Sequence, residues 1–161
     1  MPDLHDELLE QARHLANRER RRPKQASLRR AVSAAYYALF HALSAEVARP
    51  YRLRVRPSAR RLLDHGKAKQ AAAKVGKNGL GTLSGSPPCP GSLRQVADDF
   101  VVLQKDRHDA DYNLGRTFNR AAVHFSIDRA NRSISSLHAA RQQCPDELQA
   151  FLLLLLGTRD V

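Results

Sequence analysis

Along this chain, apolar residues recur every three or four positions over long stretches, the spacing that places them on one face of an α-helix. One of the longest such stretches is Ser27 to Ala48, which holds neither Gly nor Pro and opens with Ser27, a residue suited to an N-cap. At about 100° per residue, Leu28, Val32, Tyr36, Leu39, Phe40, Leu43 and Val47 fall on one arc of large side chains. Ala31, Ala34, Ala35, Ala38, Ala42 and Ala45 fall on a second arc, where another backbone can approach closely. Arg30, Ser33, Tyr37, His41 and Ser44 make up the remaining polar stripe. Two packing faces and one narrow polar seam predict a central helix whose seam lines a groove or a subunit contact.

The same pattern predicts a helix over 2–17, with Leu4, Leu8, Ala12 and Leu15 as its apolar face, and a short helix from Ser58 to Leu63. Further helices are predicted over Ser92–Tyr112 and Asn119–Arg141, with a short C-terminal one over 145–156. In that last segment the run Phe151–Leu156 is contiguous rather than periodic, which suits burial on several sides or a docking surface. Between them, 66–91 concentrates Gly and Pro and reads as a flexible loop insertion. No alternating pair of strands appears, so the predicted fold is all-α: an up-and-down bundle of four to five helices with short extra helices and a Gly/Pro-rich loop. The length of 161 residues suits one domain, 1–161.

The face of the 92–112 helix carries the main irregularity. Leu93, Val96, Ala97, Phe100 and Leu103 extend onto Arg107 and Asp111, charged residues that are costly on a buried face unless paired or functional. Their spacing of four permits an ion pair within the helix. It equally permits an arginine held at the mouth of a groove, where it can meet a phosphate.

Charge and composition narrow the partners. A formal net charge of +11, with basic clusters at Arg18–Lys24 and Arg49–Arg61, favours polyanions such as RNA or DNA, or acidic proteins. Two cysteines, Cys89 and Cys144, are too few and too far apart for a metal motif. No apolar run approaches the roughly 20 residues that span a bilayer, and the first residues lack the apolar core of a secretory signal. A cytoplasmic protein with no membrane partner is the expectation.

Two segments bear on chemistry together: AAYYALFHAL, Ala34 to Leu43, and RHDADYN, Arg107 to Asn113. Their pairing and order resemble the HEPN superfamily, in particular small bacterial HEPN proteins with an "AYYAxFHA" helix followed by an "RxxADY" segment. The resemblance covers roughly Leu4 to Leu137. It implies a helical bundle, commonly a homodimer, in which the two segments approach one another in a groove. It further implies a metal-independent RNase acting as a toxin or defence effector, without cofactor, often neutralised by a small nucleotidyltransferase-fold partner. Other members have lost catalysis and serve as binding modules.

Metal-free RNA cleavage needs a base for the 2′-hydroxyl, an acid for the leaving oxygen and a cation for the phosphorane. The family's motif is Arg followed, after four to six residues, by His. Arg107 matches the Arg, while the His positions hold Tyr112, Asn113 and Leu114. The candidate catalytic set is therefore Arg107, His108, Asp111, Tyr112 and His41, with Arg30, Tyr37 and Asn113 lining the groove. The alternative is a catalytically inactive HEPN module that binds a nucleotidyltransferase-type partner or nucleic acid.

Overall fold

The computed structural model describes residues 1–81, 85 and 87–157. Helices account for nearly all of the regular structure, and no strand occurs among the described residues, so the chain is all-α. The helices are α1 (Leu4–Ala16), α2 (Gln25–Ala48), α3 (Arg56–Ala59), α4 (His65–Asn78), α5 (Gly91–Tyr112), α6 (Arg120–Gln143) and α7 (Pro145–Leu155). Their residues divide into two compact units, Met1–His41 with Val102–Arg132 and Ala42–Val101 with Ser133–Val161.

In the first unit, α1 buries His5, Leu9, Ala12 and Ala16. The stripe is turned by one position from the expected one, and Leu4 stays largely exposed. Both the large arc and the alanine arc of α2 are buried up to Phe40, Tyr36 completely. Ser27 does not cap α2. The helix begins two residues earlier, and the Ser27 hydroxyl, inside the first turn, donates to Glu19 Oε1 at 2.6 Å. Arg120, at the start of α6, donates from Nε to the Ala16 carbonyl at 3.0 Å and from Nη2 to the Glu19 carbonyl. An α-helix leaves its last carbonyls without helical amide partners, and here an arginine from a distant helix satisfies that of Ala16, the last residue of α1.

In the second unit the structure corrects the reading of 66–91 as a loop. Residues 65–78 form helix α4, capped by Asp64, whose side chain accepts from the Lys67 amide at 2.9 Å. Ala68, Ala72 and Val75 are buried at spacings of four and three, a helical stripe that the neighbouring glycines mask in the sequence. The helix stops at Gly79, whose φ of 66° suits glycine. A side chain there would also press on Arg94 Nη2 and Cys89 Cβ, 3.0 and 3.2 Å from a Cβ. Residues 82–84 and 86 of the expected loop lie outside the described residues. The short helix is Arg56–Ala59 rather than Ser58–Leu63, with Pro57 in its first turn, where a missing amide hydrogen costs nothing.

Helix α7 packs against α4. It buries Leu148, Phe151, Leu152, Leu154 and Leu155, leaving Leu153 outward, so the contiguous apolar run reflects burial on several sides. Two buried carboxylates in this unit are each satisfied. Glu46 is held by Arg141 and by Arg49 Nε at 3.2 Å. Asp99 accepts from Ser133 Oγ at 2.8 Å and Gln95 Nε2 at 3.0 Å.

The packing of α4 on α7 sets an expectation. In native-state hydrogen exchange, the amides of Ala72 to Asn78 should be protected, as a loop would not be. Phe151→Ala should cost about 3–5 kcal/mol in urea denaturation and lower that protection with it.

Candidate functional site

The polar stripe of α2 from Arg30 to His41 and the last turn of α5 both belong to the first unit, and an arginine missed in the sequence reading joins them. Arg29 donates from Nη1 to the Asp109 and Ala110 carbonyls at 3.1 and 3.0 Å. From Nη2 it donates to the Asn113 carbonyl at 3.0 Å and to that of Arg116. It thus closes the end of α5 with a positive charge where the helix dipole is negative. Its guanidinium also lies 5.5 Å from the Phe118 ring centre. The available signal was positional: Arg29, Ser33 and Tyr36 are spaced by four and three along one stripe of α2.

Around that junction the two motif segments touch. The Arg107 guanidinium carbon lies 5.1 Å from the ring centre of Tyr36 and 5.9 Å from that of Tyr37, within cation–π range. Its Nη1 is 3.5 Å from Asp111 Oδ2, and Asp111 Oδ1 accepts from the Ser33 hydroxyl at 2.7 Å. Arg107 and Gln104 both interact with the Tyr36 hydroxyl. Burial raises the Tyr36 phenol well above its usual pKa, and the Arg107 charge only partly opposes this, so the hydroxyl stays protonated. The Arg107 side chain is 16% exposed, and its Nε is buried with no hydrogen-bond partner among the described residues.

Beside this cluster an open cleft of about 390 Å³ is lined by Ala26, Arg29, Arg30, Ala110 and Asp111. The guanidinium of Arg29 is engaged by the backbone, whereas Arg30 is exposed and makes no ion pair or hydrogen bond among the described residues. The cleft therefore presents one available cation and one carboxylate edge. Across the end of α5, Arg116 Nη1 bridges Asp106 at 2.9 Å and Asp109 at 2.7 Å, with its guanidinium 4.6 Å from the Phe118 ring centre. The hydrogen bond from Arg116 holds the Asp109 carboxyl below its usual pKa.

The expected site residues separate into three groups. Arg30, Tyr37, Arg107 and Asp111 gather around the junction. His108 and Tyr112 pair with each other, ring centres 5.1 Å apart, both exposed. His41 lies against the rings of Tyr37 and Phe40, at 6.4 and 5.7 Å. Asn113 serves the turn after α5: its carbonyl accepts from Arg29, and its side-chain oxygen accepts from the Gly115 amide at 3.1 Å. Elsewhere in this unit Asp3, His5 and Asp6 bring three ligand-type atoms within 4.8 Å of one another, with both aspartates exposed. Set against known protein families, curated proteins and solved structures, the chain matches none.

Arg107→Ala removes the stacked cation and leaves the Tyr36 hydroxyl and Asp111 short of a partner. It should cost about 2 kcal/mol by urea denaturation. Arg107→Lys should recover less than half, because a point charge lacks the planar fork. For Asp109, the lowered pKa means a stabilisation present above the unfolded-state value and lost as pH falls through the folded-state one. Asp109→Asn should therefore lower the urea midpoint at pH 7, and the difference should close at acid pH, where the carboxyl is protonated in both the folded and unfolded states.

Proposed function

We propose that this chain is a HEPN-type helical module that binds RNA, with Arg107 positioning the site rather than acting on the scissile phosphate. The carrying observation is the contact between the two motif segments, with Arg107 stacked on Tyr36 and Tyr37 and Asp111 bonded to Ser33. The RHDADYN and AAYYALFHAL resemblance supplies the family. The exposed basic residues of the first unit, Arg18, Arg20, Arg21, Arg22, Lys24 and Arg30, supply the attraction for a polyanion.

Binding is favoured over cleavage by what Arg107 touches. A cation that stabilises a phosphorane needs donors aimed at the phosphate. Arg107 instead has its guanidinium against two rings, one nitrogen on Asp111 and another buried. Tyr112 stands at one of the family's His positions, and a tyrosine hydroxyl does not supply the imidazole that the motif calls for. A second reading, a metal-independent RNase of toxin or defence type, draws on the exposed His108 next to Arg107. Either reading carries with it a cytoplasmic location, a homodimer and a nucleotidyltransferase-fold partner.

Labelled single-stranded RNA titrated with the protein tests both. Binding should weaken steeply with salt, by about 0.7 log units per phosphate contact for each tenfold rise in salt. Arg30→Ala should weaken binding several-fold, and RNA recovered from the complex should be intact. No binding at low salt sinks the proposal, and cleavage abolished by His108→Ala replaces it with the second reading.

A further inference from the structure

Between Arg49 and Leu63 the chain holds six arginines and no acidic residue, and its apolar side chains alternate with them as Tyr51-Arg52-Leu53-Arg54-Val55-Arg56. Buried apolar groups would be unremarkable in such a segment, but these face solvent. Leu53 is 77% exposed, Val55 51%, Leu62 50% and Tyr51 45%.

The segment is built rather than loose. Arg56 donates from Nε and Nη2 to the Tyr51 carbonyl at 3.1 and 3.0 Å, and from Nη2 to that of Arg49 at 3.4 Å. Successive turns close through Tyr51 N to Ala48 O and Val55 N to Arg52 O, each at 3.0 Å. Arg49 is paired with Glu46. Arg52, Arg54, Arg60 and Arg61 are exposed, with no ion pair or side-chain hydrogen bond among the described residues. Four apolar tips and four available guanidinium groups are thus held outward on one braced set of turns.

We propose that this segment docks on the surface of an anionic lipid bilayer. Charge selects the class of occupant: unopposed arginines require an anionic partner and repel a second copy of the same segment. Side-chain type then selects among anions. Single-stranded nucleic acid uses aromatic platforms for stacking, and here the exposed apolar groups are mostly aliphatic, which bases do not cover. A bilayer interface takes aliphatic tips into its headgroup boundary without a complementary groove, while arginines reach the lipid phosphates beside them. No helix of the described residues is long and apolar enough to cross a membrane, so the contact is peripheral.

Flotation with vesicles tests this on the full chain. Vesicles of phosphatidylglycerol and phosphatidylcholine should carry the protein, pure phosphatidylcholine should not, and binding should fall with salt. Leu53→Ser with Val55→Ser, which leaves the charge unchanged, should reduce partitioning about tenfold, and so should Arg52→Ala with Arg54→Ala. Lys69→Ala with Lys74→Ala, an equal loss of exposed charge on α4, should change it less than twofold. All of these positions are exposed, and circular dichroism should show each variant folded. The proposal is overturned by absent binding to anionic vesicles at low salt. It is also overturned if both charge pairs act equally, if the serine pair has no effect, or if the segment's variants lose RNA binding while vesicle binding persists.

Discussion

The guanidinium of Arg29 at the end of α5 is the contact on which the first unit depends most. A helix terminus leaves carbonyl oxygens without donors, and hiding such oxygens from water is costly. Arg29 meets that requirement from α2, through the carbonyls of Asp109, Ala110, Asn113 and Arg116. One side chain therefore sets where α5 ends and which stretch of α2 lies beside that end. With the backbone so placed, Ser33 comes opposite Asp111, and Tyr36 and Tyr37 come opposite Arg107.

The same device recurs, and it changes what the positive charge of this protein means. Arg120 closes α1 by donating to Ala16 and Glu19, Arg141 neutralises the buried Glu46, Arg116 bridges two aspartates, and Arg56 braces the turns before it. Arginine suits these tasks because its five donors lie in one plane and its weakly hydrated cation tolerates partial burial. A net charge of +11 consequently overstates the attraction available to a polyanion. What remains for partners is concentrated where exposed arginines make no ion pair among the described residues, at Arg20–Arg22, at Arg30 and at Arg52, Arg54, Arg60 and Arg61.

The periods of α2, α5 and α6 were legible in the sequence, and so was the all-α class, because strong amphipathic stripes need no tertiary information. The spacing of four between Arg107 and Asp111 left an ion pair and a groove-facing arginine both open, and the pair is what forms. Helix α4 was hidden because Gly66, Gly76, Gly79 and Gly81 outweigh a short Ala-rich stripe whose burial depends on α7. Ser27 looked like a cap because its chemistry suits one, yet Glu19, eight residues away, offered its hydroxyl a better acceptor. The role of Arg29 was hidden for a related reason. Backbone carbonyls at a helix end leave no mark in a sequence, so only its place on the stripe of Ser33 and Tyr36 distinguishes the arginine that caps them from Arg30 beside it.

That contrast also bears on why a charged pair persists on the inner face of α5. An ion pair of this kind adds little stability over an apolar pair of similar volume, since desolvation offsets most of the attraction. Its contribution is to exclude alternatives. Sliding α5 by one turn against α2 would carry the Arg107–Asp111 pair away from the Tyr36 and Tyr37 rings and from the Ser33 hydroxyl, leaving two partly buried charges with only each other. An apolar pair would tolerate such a shift. The Arg107 and Asp111 contacts therefore specify the register of the two motif segments, and the exposed groups beside them, Arg30 and His108, take their places from that register.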